Sequence, residues 1–147
     1  IKTNSKVPQE IHLGNYLRKM NWAILDYKKM SFFENKEIKE RKKELSLQPN
    51  DPAAHFNLGA AYDKAGKLHD SIKEFEETIK FHPNSAEAHF NLGVLYDGVK
   101  QGKKAIMHIL KAGNLFGDKN DSVNKMESRR LLKEFYRKFG FKPEDIE

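Results

Sequence analysis

Apolar residues recur at helical spacing through the middle of the chain, with polar residues between them. Gly66 divides this stretch into two periodic runs, whose apolar positions are Leu58, Tyr62, Ala65, Leu68, Ile72, Phe75 and Ile79. Because apolar residues three and four apart line one face of an α-helix, the pattern predicts two antiparallel helices over about 53–65 and 69–81. Pro83 ends the pair, since proline cannot continue a helix.

The same pattern returns 34 residues further along the chain. Residues 54–63 read AHFNLGAAYD and residues 88–97 read AHFNLGVLYD, so eight of ten positions are identical. An internal repeat of this length predicts a second pair of helices, over about 87–99 and 103–115. Gly59 and Gly93 lie inside the first helix of each pair, where glycine costs about 1 kcal/mol relative to alanine. We therefore expect a close contact between helices at both glycines.

The upstream sequence retains traces of an earlier unit. Pro49-Asn50 precedes Pro83-Asn84 by 34 residues, and apolar residues between 38 and 47 show the same offset. We predict a helix near 9–30 and a second helix that begins at a Ser31–Glu34 capping box and runs to about Gln48. The first of these helices carries apolar residues suited to packing on the repeats or to holding a second copy of the chain: Ile11, Tyr16, Leu17, Met20, Ile24 and Tyr27.

Downstream, Asp121 is placed to cap a helix over about 122–139, with Gly140 as its stop. The remaining tail has no periodicity, so it either frays or lies along a neighbouring surface. The predicted organisation has six parts: a flexible N-terminus (1–8), N-terminal helices of a degenerate repeat (9–50), a first repeat (51–85), a second repeat (86–119), a C-terminal capping helix (120–140) and the tail (141–147).

Over 52–119 the sequence resembles the tetratricopeptide-repeat (TPR) family, whose pattern is an aromatic, Leu-Gly, Tyr, a small residue, an aromatic and Pro. The matching residues are Leu58-Gly59, Tyr62, Ser71, Phe75 and Pro83, then Leu92-Gly93, Tyr96, Ala105, Ile109 and Ala112. The departures are His55 and His89 where the family often has Trp, Thr78 for Ala, and Gly117 for Pro. The resemblance implies an all-α fold, a right-handed α–α solenoid of helical hairpins, and a non-catalytic scaffold or adaptor for proteins.

The resemblance also implies that the first helix of each repeat faces a concave groove that binds an extended or helical partner segment. The residues implied are Phe56, Asn57, Ala60, Asp63, Lys64, Phe90, Asn91, Val94, Asp97 and Gly98. The two asparagine amides offer donors and an acceptor to a peptide backbone. Alternatively, the asparagines simply belong to the repeated Asn-Leu-Gly sequence and the two phenylalanines pack in the core.

One class of partner is disfavoured by the same resemblance. TPR units that bind the C-terminal carboxylate of heat-shock chaperones place Lys and Asn where this chain has Phe56 and Ala60. Without a cation there, a carboxylate has no charge-assisted hydrogen-bond partner. An apolar segment therefore suits the predicted groove better.

Composition narrows the remaining chemistry. The chain is 38% hydrophobic and 33% charged, has no Cys, and has no apolar run of membrane-spanning length. No nucleophile, phosphate-loop or metalloprotease motif occurs, so we expect neither an enzyme nor a cofactor. His55 and His89 recur with the repeat, but a stacking role explains them better than a metal site. The missing initiator Met fits a removed export signal or a trimmed chain, and it leaves the compartment open.

The charge distribution leaves two further functions open. The first 50 residues carry 11 basic and 6 acidic side chains and hold nearly all of the net charge of +6. Arg41, Lys42 and Lys43 are candidate phosphate contacts for nucleic acid or an anionic surface, but interleaved glutamates on the same helix argue for ion pairing in solvent. A structural subunit that joins enzyme complexes into an oligomer or filament is the other alternative, because stacked repeats allow open association.

Overall fold

The structure, a computed structural model, describes the backbone of residues 9–146 and side chains from residue 24 onward, apart from those of Tyr27, Met30 and Glu34. Every regular element in this range is helical. Six α-helices are followed by a short 3₁₀ helix: α1 (Gln9–Leu47), α2 (Pro52–Lys64), α3 (Leu68–Phe81), α4 (Ala86–Gly98), α5 (Gly102–Asp118), α6 (Ser122–Phe139) and the 3₁₀ turn Pro143–Asp145. The predicted all-α fold is confirmed.

Side-chain caps fix the starts of α2, α4 and α6. Asp51 accepts a hydrogen bond from the Ala53 backbone N–H at 3.0 Å, with Pro52 in the first helical position. Ser85 caps α4 through the Ala88 N–H at 3.3 Å, and Asp121 caps α6 through the Asn124 N–H at 3.1 Å. Each cap satisfies a backbone donor that the helix itself leaves free. All of the helices from α2 to α6 begin within two residues of their predicted positions.

The helices stack in chain order, each packing on its neighbours in sequence. The largest core cluster joins α3, α4, α5 and α6, and contains fully buried Leu92, Ile106 and Ile109. Ser71 and Ala105 occupy the small position of each repeat and are fully buried. Ser71 satisfies its hydroxyl by donating to the Gly59 carbonyl at 2.8 Å. Burial of these apolar faces between neighbouring helices is the main source of stability in a stack of this kind.

The expected close contacts at the two glycines are present. A Cβ at Gly59 would lie 3.3 Å from the Phe75 ring, whereas one at Gly93 would lie 2.5 Å from Ile109 Cγ1. The first helix of each repeat thus lies against the second helix at its glycine. The contact is tighter in the second repeat.

The predicted break in the N-terminal region is wrong. α1 is one continuous helix of 39 residues, and Ser31 lies inside it rather than at a cap. The physical reason is that no Gly or Pro occurs between Asn15 and Leu47, so nothing forces the backbone out of helical geometry. The predicted packing of Tyr16 and Tyr27 lies outside the described side chains, as the predicted flexible N-terminus lies outside the described backbone.

The C-terminal end of the fold covers the last repeat. Phe135 of α6 is buried in the main cluster, and Gly140 ends α6 in the left-handed conformation with φ of 71°. The tail continues along the surface, where Phe141 and Ile146 are half-buried against the same cluster. α5 is 17 residues long against 14 for α3, because Gly117 does not stop the helix as Pro83 does.

Candidate functional site

The predicted site residues lie on α2 and α4, at equivalent positions 34 residues apart. Asn57 and Ala60 are exposed on α2, Asn91 is half-buried on α4, and Val94 is 44% exposed. We call these four residues, two on α2 and two on α4, the helix A surface. It combines two amide side chains with two small apolar ones, which is a composition suited to a peptide backbone with apolar side chains.

The two phenylalanines of the predicted site pack against aromatic rings of neighbouring helices. The Phe56 ring meets Phe75 edge to face at 5.1 Å between centroids, and the Phe90 ring meets Phe116 at 6.3 Å. Both rings are half-buried. Each therefore leaves only part of its ring for a partner.

The charged residues of the predicted site are partly engaged with other helices. Lys64 Nζ lies 3.1 Å from Glu37 of α1, and Asp97 accepts a hydrogen bond from Lys138 of α6 at 2.6 Å. Asp63 is exposed. Exposed ion pairs contribute little net stability, so these contacts add little to the free energy of folding.

A cavity of about 330 Å³ opens at the start of the helix A surface, between the N-terminal ends of α2 and α4. Phe56 and Asn57 line it from α2, and His82, Ser85 and Glu87 line it from the loop and α4. Phe90 and Asn91 do not reach it. Two of the predicted residues thus share one concave site, while their repeat equivalents lie further along the surface.

Comparison with solved structures shows which known fold this chain shares. No protein-family profile and no curated protein matches the chain. Among solved structures it is similar to the TPR2B domain of yeast Sti1 in complex with pHsp70, with a TM-score of 0.65 and 18% identity over 88% of this chain and 96% of that one. It is also similar to the Sgt2 TPR domain of Aspergillus fumigatus, with a TM-score of 0.63 and 21% identity over 95% and 85% of the two chains.

A third similar structure is MamA, with a TM-score of 0.53 and 22% identity over 71% of this chain and 68% of that one. The fold is a TPR fold. This agrees with the fold implied by the Leu-Gly-Tyr pattern of the two repeats.

Two histidines replace the aromatic residue that opens many TPR units, and the structure shows why they recur. His55 Nε2 lies 2.9 Å from the Pro49 carbonyl, and His89 Nε2 lies 2.9 Å from the Pro83 carbonyl. A carbonyl only accepts, so each imidazole donates from Nε2. The repeated histidine therefore ties the first helix of its TPR unit to the loop that precedes it.

The second ring nitrogen of each histidine has a different partner in the two units. His55 Nδ1 lies 2.8 Å from the Glu74 carboxylate, whereas His89 Nδ1 lies 2.9 Å from His108 Nδ1. Sequence reasoning missed both pairs. The signal was available, because Glu74 and His108 stand 34 residues apart just as His55 and His89 do. Over the side chains that the structure describes, no three His, Asp or Glu residues are placed to hold a metal ion.

The His89–His108 pair is held largely uncharged. Burial lowers the pKa of His89, and Lys111 lowers it further, against the opposing effect of the bond to Pro83. Burial, His89 and Lys104 together lower the pKa of His108 to about 4. Beside the pair, the Tyr96 hydroxyl donates to Glu76, and burial followed by this bond raises the pKa of Tyr96.

Within residues 9–146, no helix is both long and apolar enough to cross a membrane. On α1, the basic cluster considered for nucleic acid is partly paired, since Arg41 lies 2.9 Å from Glu44. Pairing with glutamates lowers the positive charge that α1 offers to a phosphate backbone.

Proposed function

We propose that this chain is a non-catalytic protein-interaction module whose helix A surface binds an extended segment of a partner protein. The observation that carries the proposal is the repetition of accessible side chains of one kind at equivalent positions, with Asn57 and Asn91 beside Ala60 and Val94. Amides spaced along successive helices give a peptide backbone repeated hydrogen-bond partners. The known complex of the Sti1 domain with pHsp70 supports a protein partner in general.

The apolar character of the surface supports a particular kind of segment. Ala60 and Val94 present no charge, and the half-buried Phe56 adds an aromatic edge at the cavity. A terminal carboxylate placed against these side chains would lose water without gaining a charged partner. We therefore propose a segment with apolar side chains on its bound face.

The test begins by identifying the partner through affinity purification from the native source and mass spectrometry. The bound segment is then titrated calorimetrically against the Asn57→Ala, Asn91→Ala double variant. Two hydrogen bonds at about 0.5–1.5 kcal/mol each predict a loss of about 1–3 kcal/mol, or roughly 5- to 150-fold in affinity. The helical circular dichroism signal should be unchanged.

The chain offers a matched control in Asn50→Ala with Asn84→Ala. These asparagines are also 34 residues apart and exposed, but they lie in the loops before α2 and α4. Their double variant should bind the partner with wild-type affinity. Equal affinities for all three proteins would overturn the helix A surface as the binding site.

Self-association through α1 is a second candidate, supported by exposed apolar side chains on that helix. Phe32 and Phe33 are 67% and 65% exposed, and Leu25 is 57% exposed. Large apolar side chains clustered on an accessible helix indicate a contact surface. Light scattering coupled to size exclusion tests this, since Phe32→Ser with Phe33→Ser should convert an oligomer to a monomer. A wild-type chain that is monomeric at high concentration would exclude it.

A further inference from the structure

The second helices of the two repeats, α3 and α5, carry opposite charge at equivalent positions. On α5, Lys104, His108 and Lys111 follow one another at spacings of four and three residues, so they share one helical face. Their equivalents on α3, 34 residues earlier, are Asp70, Glu74 and Glu77. The repeat thus keeps its packing residues but replaces three acidic side chains with two ammonium groups and an imidazole. Packing alone does not require such a replacement.

The α5 face lines a cavity of about 530 Å³ between α3, α4 and α5. Lys104, His108 and Lys111 are joined there by Tyr96 and by Met107, which is 49% exposed. The Tyr96 ring stacks on His108 at 5.5 Å between centroids, and Lys104 Nζ lies 4.9 Å from the centre of the Tyr96 ring. The cavity therefore has an apolar and aromatic wall with cationic groups beside it.

The carboxylate of Glu76 is the acidic group in the lining, and the Tyr96 hydroxyl already donates to it. The remaining charged groups that face the cavity are the two lysines, both exposed. A cation entering the cavity would meet two ammonium groups and one carboxylate that already accepts a hydrogen bond, whereas an anion would meet two charge-assisted donors. Charge complementarity favours the anion.

The ring of His108 provides a nitrogen, Nε2, that can become a hydrogen-bond donor to an anion. His89 donates from Nε2 to the Pro83 carbonyl, so in the neutral pair His89 Nδ1 accepts and His108 Nδ1 donates. Only one proton fits between the two Nδ1 atoms. The Nε2 atom of His108 is then an acceptor in the neutral pair, and it becomes a third donor when the pair takes up one proton.

We propose that this cavity is a second binding site, which takes carboxylate side chains from an acidic segment of a partner protein. The two lysines hold the carboxylate, Met107 and the Tyr96 ring contact the neighbouring apolar atoms, and His108 donates once the histidine pair is protonated. The site lies between α3, α4 and α5 and includes none of the four residues that define the helix A surface. It therefore does not depend on the function proposed above.

The test uses the full 147-residue chain and a fluorescein-labelled acidic peptide, EELEE, followed by anisotropy and by NMR of the Met107 methyl and His108 ring signals. EELEE should bind and shift both signals, and the uncharged peptide QQLQQ should do neither. Binding should be at least threefold tighter at pH 5.5 than at pH 7.5, because a bound carboxylate beside His108 favours uptake of a proton by the otherwise uncharged His89–His108 pair, which faces Lys104, Lys111 and the Tyr96–Glu76 pair. Absence of EELEE binding would overturn the proposal.

Matched variants distinguish binding in the cavity from non-specific attraction of an acidic peptide to a basic protein. Lys104→Gln with Lys111→Gln should weaken EELEE binding at least tenfold. Lys73→Gln with Lys103→Gln changes the net charge by the same amount at exposed lysines outside the cavity, and should leave binding within twofold. Equal losses in the two double variants would contradict the proposal.

Further measurements test the role of His108 and whether the bound carboxylate comes from a protein segment or from a small acid. His108→Glu recreates the pairing seen between His55 and Glu74, so it should fold normally, bind EELEE at least tenfold more weakly and lose the pH dependence. Asn57→Ala with Asn91→Ala should leave EELEE binding unchanged, which separates this proposal from that of the helix A surface. Glutarate binding more tightly than the peptide would show that the occupant is a small acid and would overturn the partner segment.

Discussion

At the residue scale, two glycines in identical sequence contexts have different neighbours. A Cβ at Gly93 would lie 2.5 and 2.6 Å from two side-chain carbons of Ile109 and 3.1 Å from its backbone nitrogen. At Gly59 the nearest atoms are those of the Phe75 ring, at 3.3 Å. The Asn-Leu-Gly repeat predicts a close approach at both positions. It does not predict which is tighter, because the facing residue belongs to another helix.

We expect Gly93→Ala to destabilise the protein by about 2 kcal/mol, since overpacking outweighs the gain in helix propensity. Gly59→Ala should fall within about 1 kcal/mol of the wild type, because the two effects nearly cancel there. Urea unfolding followed by circular dichroism measures both. Gly98→Ala, whose Cβ would lie 3.4 Å from Leu68, provides a control at ordinary contact distance. Equal losses at Gly59 and Gly93 would contradict the difference in packing.

A second residue-scale difference between the repeats lies in their inner turns. Gly66 has φ of 68°, and its equivalent Lys100 has φ of 63°. A left-handed backbone costs a non-glycine residue roughly 1–2 kcal/mol, while glycine loses more conformational entropy on folding. We therefore predict that Lys100→Gly stabilises the chain by about 0.5–1 kcal/mol in chemical unfolding. A loss of stability would show that Lys100 makes a compensating contact.

At the element scale, hydrophobic periodicity predicted the helices of the repeats and α6 to within a few residues. Their boundaries follow from local signals, such as Asp51 with Pro52 and Asp121. The error at Ser31 has a local cause as well, since a capping box fixes a helix start only where the preceding residues leave the helix. The histidine pairs were missed because each joins two helices through side chains 19 residues apart.

The His89–His108 contact between α4 and α5 makes stability dependent on pH. The pKa of His108 is about 4 in the folded chain against an ordinary value of 6.5, and burial also lowers the pKa of His89. The unfolded chain therefore binds protons first as the pH falls. Stability should be constant above about pH 6.5 and decrease toward pH 4, by on the order of 1–2 kcal/mol after solvent screening.

Thermal melts between pH 4 and pH 7.5 measure this decrease, with His108→Glu as the comparison. The variant replaces a contact that protonation breaks with one that a charged imidazole strengthens, so its loss of stability over this range should be smaller. Parallel pH profiles for the wild type and the variant would show that other groups control acid stability.

The capping function of α6 is also an element-scale property. Phe135 is 2% exposed and belongs to the core cluster shared by α3, α4 and α5. Phe135→Ala should cost about 3–5 kcal/mol through lost burial and a cavity. The midpoint of urea unfolding measures it, and Met126→Ala, at a 68% exposed position of the same helix, should change it by less than about 0.5 kcal/mol. Similar effects of the two substitutions would mean that burial of Phe135 of α6 in the core does not stabilise the last repeat.

At the scale of the whole molecule, each helix packs on its neighbours in sequence, so the exposed faces of successive helices run along the stack rather than enclosing a single centre. The sequence was sufficient for the TPR fold and for the positions of Asn57, Ala60, Asn91 and Val94 on α2 and α4. It was insufficient for the cavity beside His108, which forms only where side chains of three helices meet. The Phe56 and Phe90 packing likewise depends on partners in other helices.

Backbone NMR titration of the labelled chain with the identified partner segment tests whether that segment binds along the helix A surface. We expect the largest chemical-shift changes at Asn57, Ala60, Asn91 and Val94 on α2 and α4, with the signals of α1 unaffected. Shift changes confined to α1, with those four residues unchanged at saturation, would contradict binding along the helix A surface.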